Sequence, residues 1–308
     1  MKSPKNLKNR YPSYLNIRNF KPIIRELKSM LNPCVVCPRN CRVDRFASKK
    51  GTCRTGYLPI VASYNLHHGE EPPISGFRGS GTIFFSGCPL RCLFCQNYPI
   101  SQYVNGNEIS IKKLAEHMLF LQRKGAHNIN LVTPTHVVPQ FVEALEIAVE
   151  DGLHIPIVYN CGGYENIEVL KLLDGIIDIY LPDMKYGFNT NALKYSGVKN
   201  YVEINRKAVA EMYRQVGDLE VDDNGVALRG LIIRHLVLPE NISGTDEVLK
   251  FIAGLSRTIP ISLMSQYFPA YKAPEIPELS KRLTISKYKW ATELMEKLGL
   301  INGWIQPF

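Results

Sequence analysis

Beyond residue 77 the hydrophobic pattern switches repeatedly between two periods. Short, nearly continuous apolar runs lie at 81–85 (GTIFF), 128–132 (NINLV), 155–160 (IPIVYN), 176–182 (IIDIYLP), 230–239 (GLIIRHLVLP) and 260–266 (PISLMSQ). Runs of this length bounded by polar residues read as buried strands. Between them lie stretches with helical spacing. In 110–126, Ile111, Leu114, Met118 and Leu121 share one face and Gly125 supplies a stop. Similar patterns cover 137–152, 164–175, 201–217, 244–257 and 284–299, with a turn at Asp223-Asn224-Gly225. Six strands alternating with helices predict a parallel α/β sheet. Six units fall short of a closed eight-fold barrel, so the expectation is an open, partial (β/α)6 barrel over residues 77–308. The chemistry of such barrels sits at the C-terminal strand ends. Here those ends carry Cys88, Thr133-Pro134-Thr135-His136, Asn160-Cys161-Gly162-Gly163-Tyr164, Pro182-Asp183-Met184-Lys185-Tyr186, Pro239-Glu240-Asn241 and Ser265-Gln266-Tyr267.

Upstream, residues 1–33 read as a basic arm and a helix at 17–31 that stops at Pro33. Residues 34–76 read as a cysteine-rich module and a polar linker. No repeat or low-complexity tract interrupts this order.

Composition narrows the picture only slightly. The 308 residues are 45% hydrophobic and 21% charged, as in ordinary globular chains. No stretch approaches the roughly 18 apolar residues of a membrane span, and the N-terminus lacks a signal-peptide core; a cytoplasmic protein is expected. The net charge of +9 is uneven: residues 1–28 hold five Lys, three Arg and one Glu, a net of +7, which leaves +2 for the rest. A nucleic-acid-binding face would spread that charge over the fold, so nucleic acid is not the expected partner.

Seven of the eight cysteines form two groups: Cys34, Cys37, Cys41 and Cys53, then Cys88, Cys92 and Cys95. In a cytosolic chain such spacing points to metal rather than disulfides. The first group is C-x2-C-x3-C-x11-C, four thiolates and hence a complete shell for either zinc or a 4Fe–4S cluster. Arg39, Arg42, Arg45 and Arg54 crowd it and would offset its charge. The second is C-x3-C-x2-C with no fourth ligand nearby. Half of a zinc knuckle completed from a distance is one reading. The other is an iron–sulfur cube with one iron left open, as catalytic metal sites keep a position free.

That triplet, with Phe94 as the aromatic before Cys95, directly after the first strand of a partial barrel, resembles the radical S-adenosylmethionine (SAM) superfamily. The segments SGFRGSGTIFFSGCPLRCLFCQNYPIS, NINLVTPTH, YNCGGYENIEVLKLLDGIIDIYLPDMKY and SLMSQY are similar to the branch related to the pyruvate formate-lyase activating enzyme, from about Cys34 to the C-terminus. The resemblance implies a radical-SAM barrel, to which the first cysteine group adds an N-terminal four-cysteine metal-binding extension that the activases do not share. It also implies that the open iron takes the amino and carboxylate groups of SAM. Reductive cleavage would then give a 5′-deoxyadenosyl radical for hydrogen abstraction, in activases from a glycine of a protein substrate. An electron donor of flavodoxin or ferredoxin type is implied as partner. Asp183 and Lys185, a D-x-K pair, are implied near the cosubstrate carboxylate, with Asp183 able to hold a monovalent cation.

Other expectations rest on position. Arg234, a charge inside an apolar strand, needs a carboxylate, either SAM's or a protein one. The branch usually carries Gly-Gly-Glu after the second strand. This chain has Thr133, Thr135 and His136, which could accept the cosubstrate's ammonium bonds instead. Asn160 and Gln266 are further cosubstrate candidates; Cys161 and Tyr267 are candidate pocket groups, whereas His67 and His68 read as exposed. The catalytic group is therefore Cys88, Cys92 and Cys95. The function expected is activating-enzyme-like; a radical enzyme acting on a small metabolite or another macromolecule is the alternative, and a non-enzymatic metal-binding module on nucleic acid the weaker one.

Overall fold

The computed structural model describes residues 12–306. Most of the expected basic arm therefore lies outside the described residues. The strands are β1 (Ile60–His67), β2 (Ser80–Phe85), β3 (Asn107–Glu108), β4 (Ile129–Val132), β5 (Ile157–Cys161), β6 (Ile179–Pro182), β7 (Glu220–Val221), β8 (Ala227–Leu231), β9 (Ile233–Leu236), β10 (Ile261–Met264) and β11 (Gly303–Ile305). The helices are α1 (Lys21–Ser29), α2 (Pro72–Ser75), α3 (Tyr98–Ser101), α4 (Ile111–Arg123), α5 (Val138–Glu150), α6 (Ile167–Leu172), α7 (Asn189–Ser196), α8 (Tyr201–Val216), α9 (Thr245–Leu255) and α10 (Ile285–Lys297).

All six expected strands are present, in the order β2-β4-β5-β6-β8 and then, because β8 runs on into β9, β9-β10. Every neighbouring pair in this series is parallel. Strands β4, β5, β6 and β10 are buried along their whole length. That is the pattern of a parallel sheet covered on both faces. The helices supply the outer cover: α4 buries Leu114, Met118 and Leu121 and is capped by Ser110, whose side chain accepts from the Lys113 N–H. The architecture is the expected partial barrel.

Three features go beyond the pattern. Strand β1 adds antiparallel to β2, and β11 adds parallel to β10, so both edges are extended. The stretch between β1 and β2, expected as a linker, carries α2 into the barrel. There Ile74 packs with Val158, Ile179, Leu181, Ala227 and Ile232 and closes the end opposite the site. The N-terminal segment shares the main core through Tyr14, Phe20, Ile24, Leu27, Leu31, Cys34 and Val36. The first cysteine group is thereby fixed to the barrel by apolar contact, with no free-standing linker between them.

Candidate active site

Parallel pairing sets the C-terminal ends of the strands level: Val132 lies opposite Asn160, Cys161 opposite Pro182, and Met264 opposite Leu236. The residues that follow converge on a cavity of about 220 Å³. Its wall includes Cys88, Cys92, Cys95 and Phe94 from the loop after β2, then Thr133, Asn160, Cys161, Asp183, Lys185, Arg234 and Gln266 from the other strand ends. Ten of the twelve catalytic and cosubstrate candidates named from the sequence therefore share one cavity.

The cysteine loop is shaped by its neighbours. Gly87 has φ of +84°, and a Cβ there would run into the Cys53 carbonyl, so only glycine lets the loop pass the N-terminal module. The Ser196 hydroxyl, at the end of α7, donates to Cys92 Sγ at 2.9 Å and is itself 2.6 Å from the Tyr186 hydroxyl. Ser101 Oγ lies 3.0 Å from Cys95 Sγ. Burial first, then the neighbouring Cys92 and Cys95, pushes the Cys88 thiol well up; burial pushes Cys92 to about 11 although Lys185 acts against it. Three thiolates in one buried pocket need positive compensation, and a metal cluster supplies it. Phe94 forms the wall, edge-on to Tyr186 and Tyr267.

Opposite the cysteines lies an ion network. Lys185 Nζ donates to Asp183 Oδ2 at 2.6 Å, and Arg234 Nε donates to Asp183 Oδ1 at 2.9 Å. Arg234 Nη2 donates to Asn160 Oδ1 at 2.5 Å, and Nη1 faces Glu70 at 3.5 Å. Burial alone would raise Asp183, but the Arg234 and Lys185 charges outweigh it and hold the carboxyl below its usual range. The carboxylate expected beside Arg234 is therefore supplied by the protein, from Asp183 and Glu70. Burial acts to lower the Lys185 pKa, but its side-chain partner Asp183, and then the nearby Cys92 and Cys95, outweigh it and hold the ammonium above its usual range.

Two candidates turn away, which corrects the sequence expectation. Thr135 donates to Glu165 Oε1 at 2.8 Å, and His136 Nε2 lies 2.9 Å from the Ser86 carbonyl while its own carbonyl accepts from Arg45. Burial, then Arg45, pushes His136 down to about 3, so its ring is neutral. The cause is Thr133, whose φ of +59° swings the chain after β4 and leaves only the first residue of the run on the cavity. Tyr267 also faces inward, donating to the Leu279 carbonyl. His68 is exposed as expected, whereas His67 is half-buried.

Cys34, Cys37, Cys41 and Cys53 are also gathered together: Cys37 is close enough to Cys53, Cys41 and Cys34 for each to act on its pKa. Donors point at their sulfurs. The Arg39 N–H bonds to Cys37, the Thr52 N–H donates to Cys41 Sγ at 3.3 Å, and Thr55 Oγ1 lies 3.2 Å from Cys53 Sγ. Among the described residues no three His, Cys, Asp or Glu side chains close on a single metal ion. The arginines are engaged mainly with backbone carbonyls: Arg45 with Gly56 and His136, Arg54 with Gln102, Arg39 with Pro89 and Ser196. Of these, Arg45 also lies beside Cys34.

Residues 82–252 match the family model of the Radical SAM superfamily. The uncharacterized protein MJ0674 of Methanocaldococcus jannaschii is 33% identical over 286 residues, covering 89% of this chain and 77% of that protein. The pyruvate formate-lyase-activating enzyme of Clostridium pasteurianum is 24% identical over 70% of this chain and 90% of its own length. Among solved structures, methylornithine synthase aligns with 18% identity and a TM-score of 0.46, over 70% of this chain and 62% of that one. No helix among the described residues is long and apolar enough to cross a membrane.

Proposed function

The chain belongs to the radical SAM superfamily, and from that premise we propose an activating-enzyme-like role: formation of a glycyl radical on a partner protein. The observation that carries the chemistry is the meeting of Cys88, Cys92 and Cys95 with the Lys185–Asp183–Arg234 network across one cavity. The relation to the C. pasteurianum protein supports the activating-enzyme reading.

The donor set fits a 4Fe–4S cluster: three thiolates, two of them hydrogen-bonded by Ser196 and Ser101, around a pocket with room beside them. When bound, the cluster supplies the electron that splits SAM into methionine and a 5′-deoxyadenosyl radical, drawn from a flavodoxin- or ferredoxin-like donor. The chain's own residues bind and orient. Lys185 is the cation for the SAM carboxylate, since Arg234 already spends its fork on Asp183, Asn160 and Glu70. Asp183 holds Lys185 in place. Thr133 and Asn160 supply oxygens toward the ammonium. Phe94 and Leu90 make the wall that keeps water from the reacting atoms. The first cysteine group holds a second metal centre. Zinc and a 4Fe–4S cluster both fit four thiolates.

One observation favours a different hydrogen donor, such as a small metabolite or another macromolecule. Thr135 and His136, standing where the branch keeps Gly-Gly-Glu, are turned away from the cavity. The two readings part in one experiment. Anaerobically reconstituted, reduced protein should release 5′-deoxyadenosine and methionine, and Cys92→Ala should not. Cleavage by the Ala variant at the parental rate would sink the site. Incubation with a glycyl-radical enzyme then separates the activase, which leaves a carbon radical visible by EPR on the partner, from the alternative, which leaves none.

A further inference from the structure

The two cysteine groups touch the same residue. Arg39 lies between Cys37 and Cys41, and its backbone N–H bonds to the Cys37 sulfur. Its guanidinium reaches out of the module. Nε donates to the carbonyl of Pro89, next to Cys88, at 2.7 Å. Nη2 donates to the carbonyl of Ser196 at 3.1 Å, and Nη1 to that of Gly197. Ser196 in turn donates its hydroxyl to Cys92 Sγ. Arg39 thus bridges the two groups: its backbone meets a thiol of the first, and its half-buried side chain holds the loop between Cys88 and Cys92 and the residue that hydrogen-bonds Cys92. Smaller contacts follow the same path: the Arg91 N–H bonds to the Ser196 carbonyl, and Arg54 holds the Gln102 carbonyl on the far side of the triplet.

Three carbonyls on one guanidinium exceed what a module merely resting on the barrel needs. A planar fork holds its acceptors in fixed relative positions. If the module shifts, Pro89 and Ser196 shift with it, and the hydrogen bond to Cys92 changes length or is lost. Hydrogen bonds to cluster sulfurs set potential, and outer residues orient the ligands.

We propose that the metal centre of Cys34, Cys37, Cys41 and Cys53 controls the catalytic cluster through Arg39, so that filling the first site is a condition for a correctly tuned second one. The proposal rests on the reading that those four thiolates bind metal. Arg39 is a positioning residue in this scheme and does not touch the cosubstrate.

The test compares the full-length parent, Cys37→Ser, Arg39→Ala and Arg39→Lys, each reconstituted anaerobically, by metal content, by EPR of the reduced catalytic cluster with and without SAM, and by SAM affinity. Cys37→Ser should lose the second metal, alter the catalytic cluster's EPR spectrum and bind SAM about five- to tenfold more weakly. Arg39→Ala should keep the parental metal content yet show the same altered spectrum and weakened affinity. Arg39→Lys, which reaches one carbonyl, should fall between. Parental EPR and affinity in Arg39→Ala would overturn the coupling. A parental metal count in Cys37→Ser would instead overturn the metal reading on which it rests. Should Cys37→Ser fail to fold, the Arg39 pair still decides the coupling.

Discussion

Asp183 and Arg234 meet twice, once through their side chains at 2.9 Å and once through a parallel backbone bridge between β6 and β9, where the Met184 N–H donates to the Arg234 carbonyl. The ion pair at the cavity is thus built on the same residues that continue the sheet across the β8–β9 junction. Gly163 presses on the Asp183 carbonyl as well: its φ is +69°, and a Cβ there would collide with that oxygen.

Asp183 and Lys185 should therefore respond differently to substitution. Lys185→Met should leave folding intact and weaken SAM binding roughly ten- to a hundred-fold, since a charge-assisted contact contributes on the order of 1.5–3 kcal/mol. Asp183→Asn should weaken binding too, but it also leaves Arg234 and Lys185 short of a counter-charge. Breaking a buried pair on one side costs about 3–5 kcal/mol, so its melting temperature should fall as well. Calorimetric SAM titration beside thermal melts reads both. Equal melting temperatures with unchanged affinity would return the pair to a structural role.

Ser196 should tune the catalytic cluster. Its hydroxyl stabilises negative charge on Cys92 Sγ, and reduction adds negative charge to the cluster. Ser196→Ala should therefore lower the reduction potential. Loss of about 0.5–1.5 kcal/mol of hydrogen bonding corresponds to tens of millivolts for one electron. Redox titration followed by EPR measures it, and an unchanged or higher potential contradicts the assignment.

The barrel strands were legible because each is a continuous apolar run, which a two-sided parallel sheet requires. Strand β1 was not, since its residues run from buried Val61 to exposed Ser63, Tyr64 and Asn65 without regular alternation. The cysteine triplet, Asp183, Lys185 and Arg234 were legible from their places at or near strand ends. Which way a side chain turns after its strand was not: Thr133 and Thr135 are two residues apart, yet the positive φ at Thr133 sends them to different places. Ser196 carried no signal, and Arg39 read only as charge beside thiolates. Their roles come from contacts across 104 and 157 residues of chain.

Glu165 should make stability depend on pH. It is buried beneath Cys161 and accepts from Thr135 and Tyr159. Burial pushes it up to about 7 from an ordinary 4.5, with those donors partly offsetting the rise. Between these values the folded protein keeps a proton that the unfolded chain has released. Stability should therefore fall as pH rises through that window and stay on the lower plateau above it, by about 3 kcal/mol at most. Glu165→Gln removes this contribution; Asp178, raised to about 6 by burial, keeps a smaller slope of the same sign in both proteins. Melting temperatures from pH 5.5 to 8.5 should fall less in the Gln variant. Parallel curves would contradict the buried, proton-holding carboxyl.

The first cysteine group decides the metal count. Four thiolates saturate either an ion or a cube, so this centre should bind no cosubstrate. The four thiols lie near one another; the Arg39 N–H bonds to Cys37, the Thr52 N–H donates to Cys41 Sγ, and Thr55 Oγ1 lies 3.2 Å from Cys53 Sγ. Four thiolates fit zinc and a 4Fe–4S cluster alike. Anaerobic analysis of fully reconstituted protein should find either about eight irons and no zinc per chain or about four irons and one zinc. About four irons with one zinc would make the centre zinc and leave the Arg39 coupling to be judged on its own test. Four irons alone would remove the second centre. Metal affinity here becomes folding free energy, and the module shares the barrel's main core through Cys34 and Val36. Cys34→Ala should therefore lose the second metal and lower the melting temperature, and a variant as stable as the parent would show that the module holds itself to the barrel by apolar contact alone.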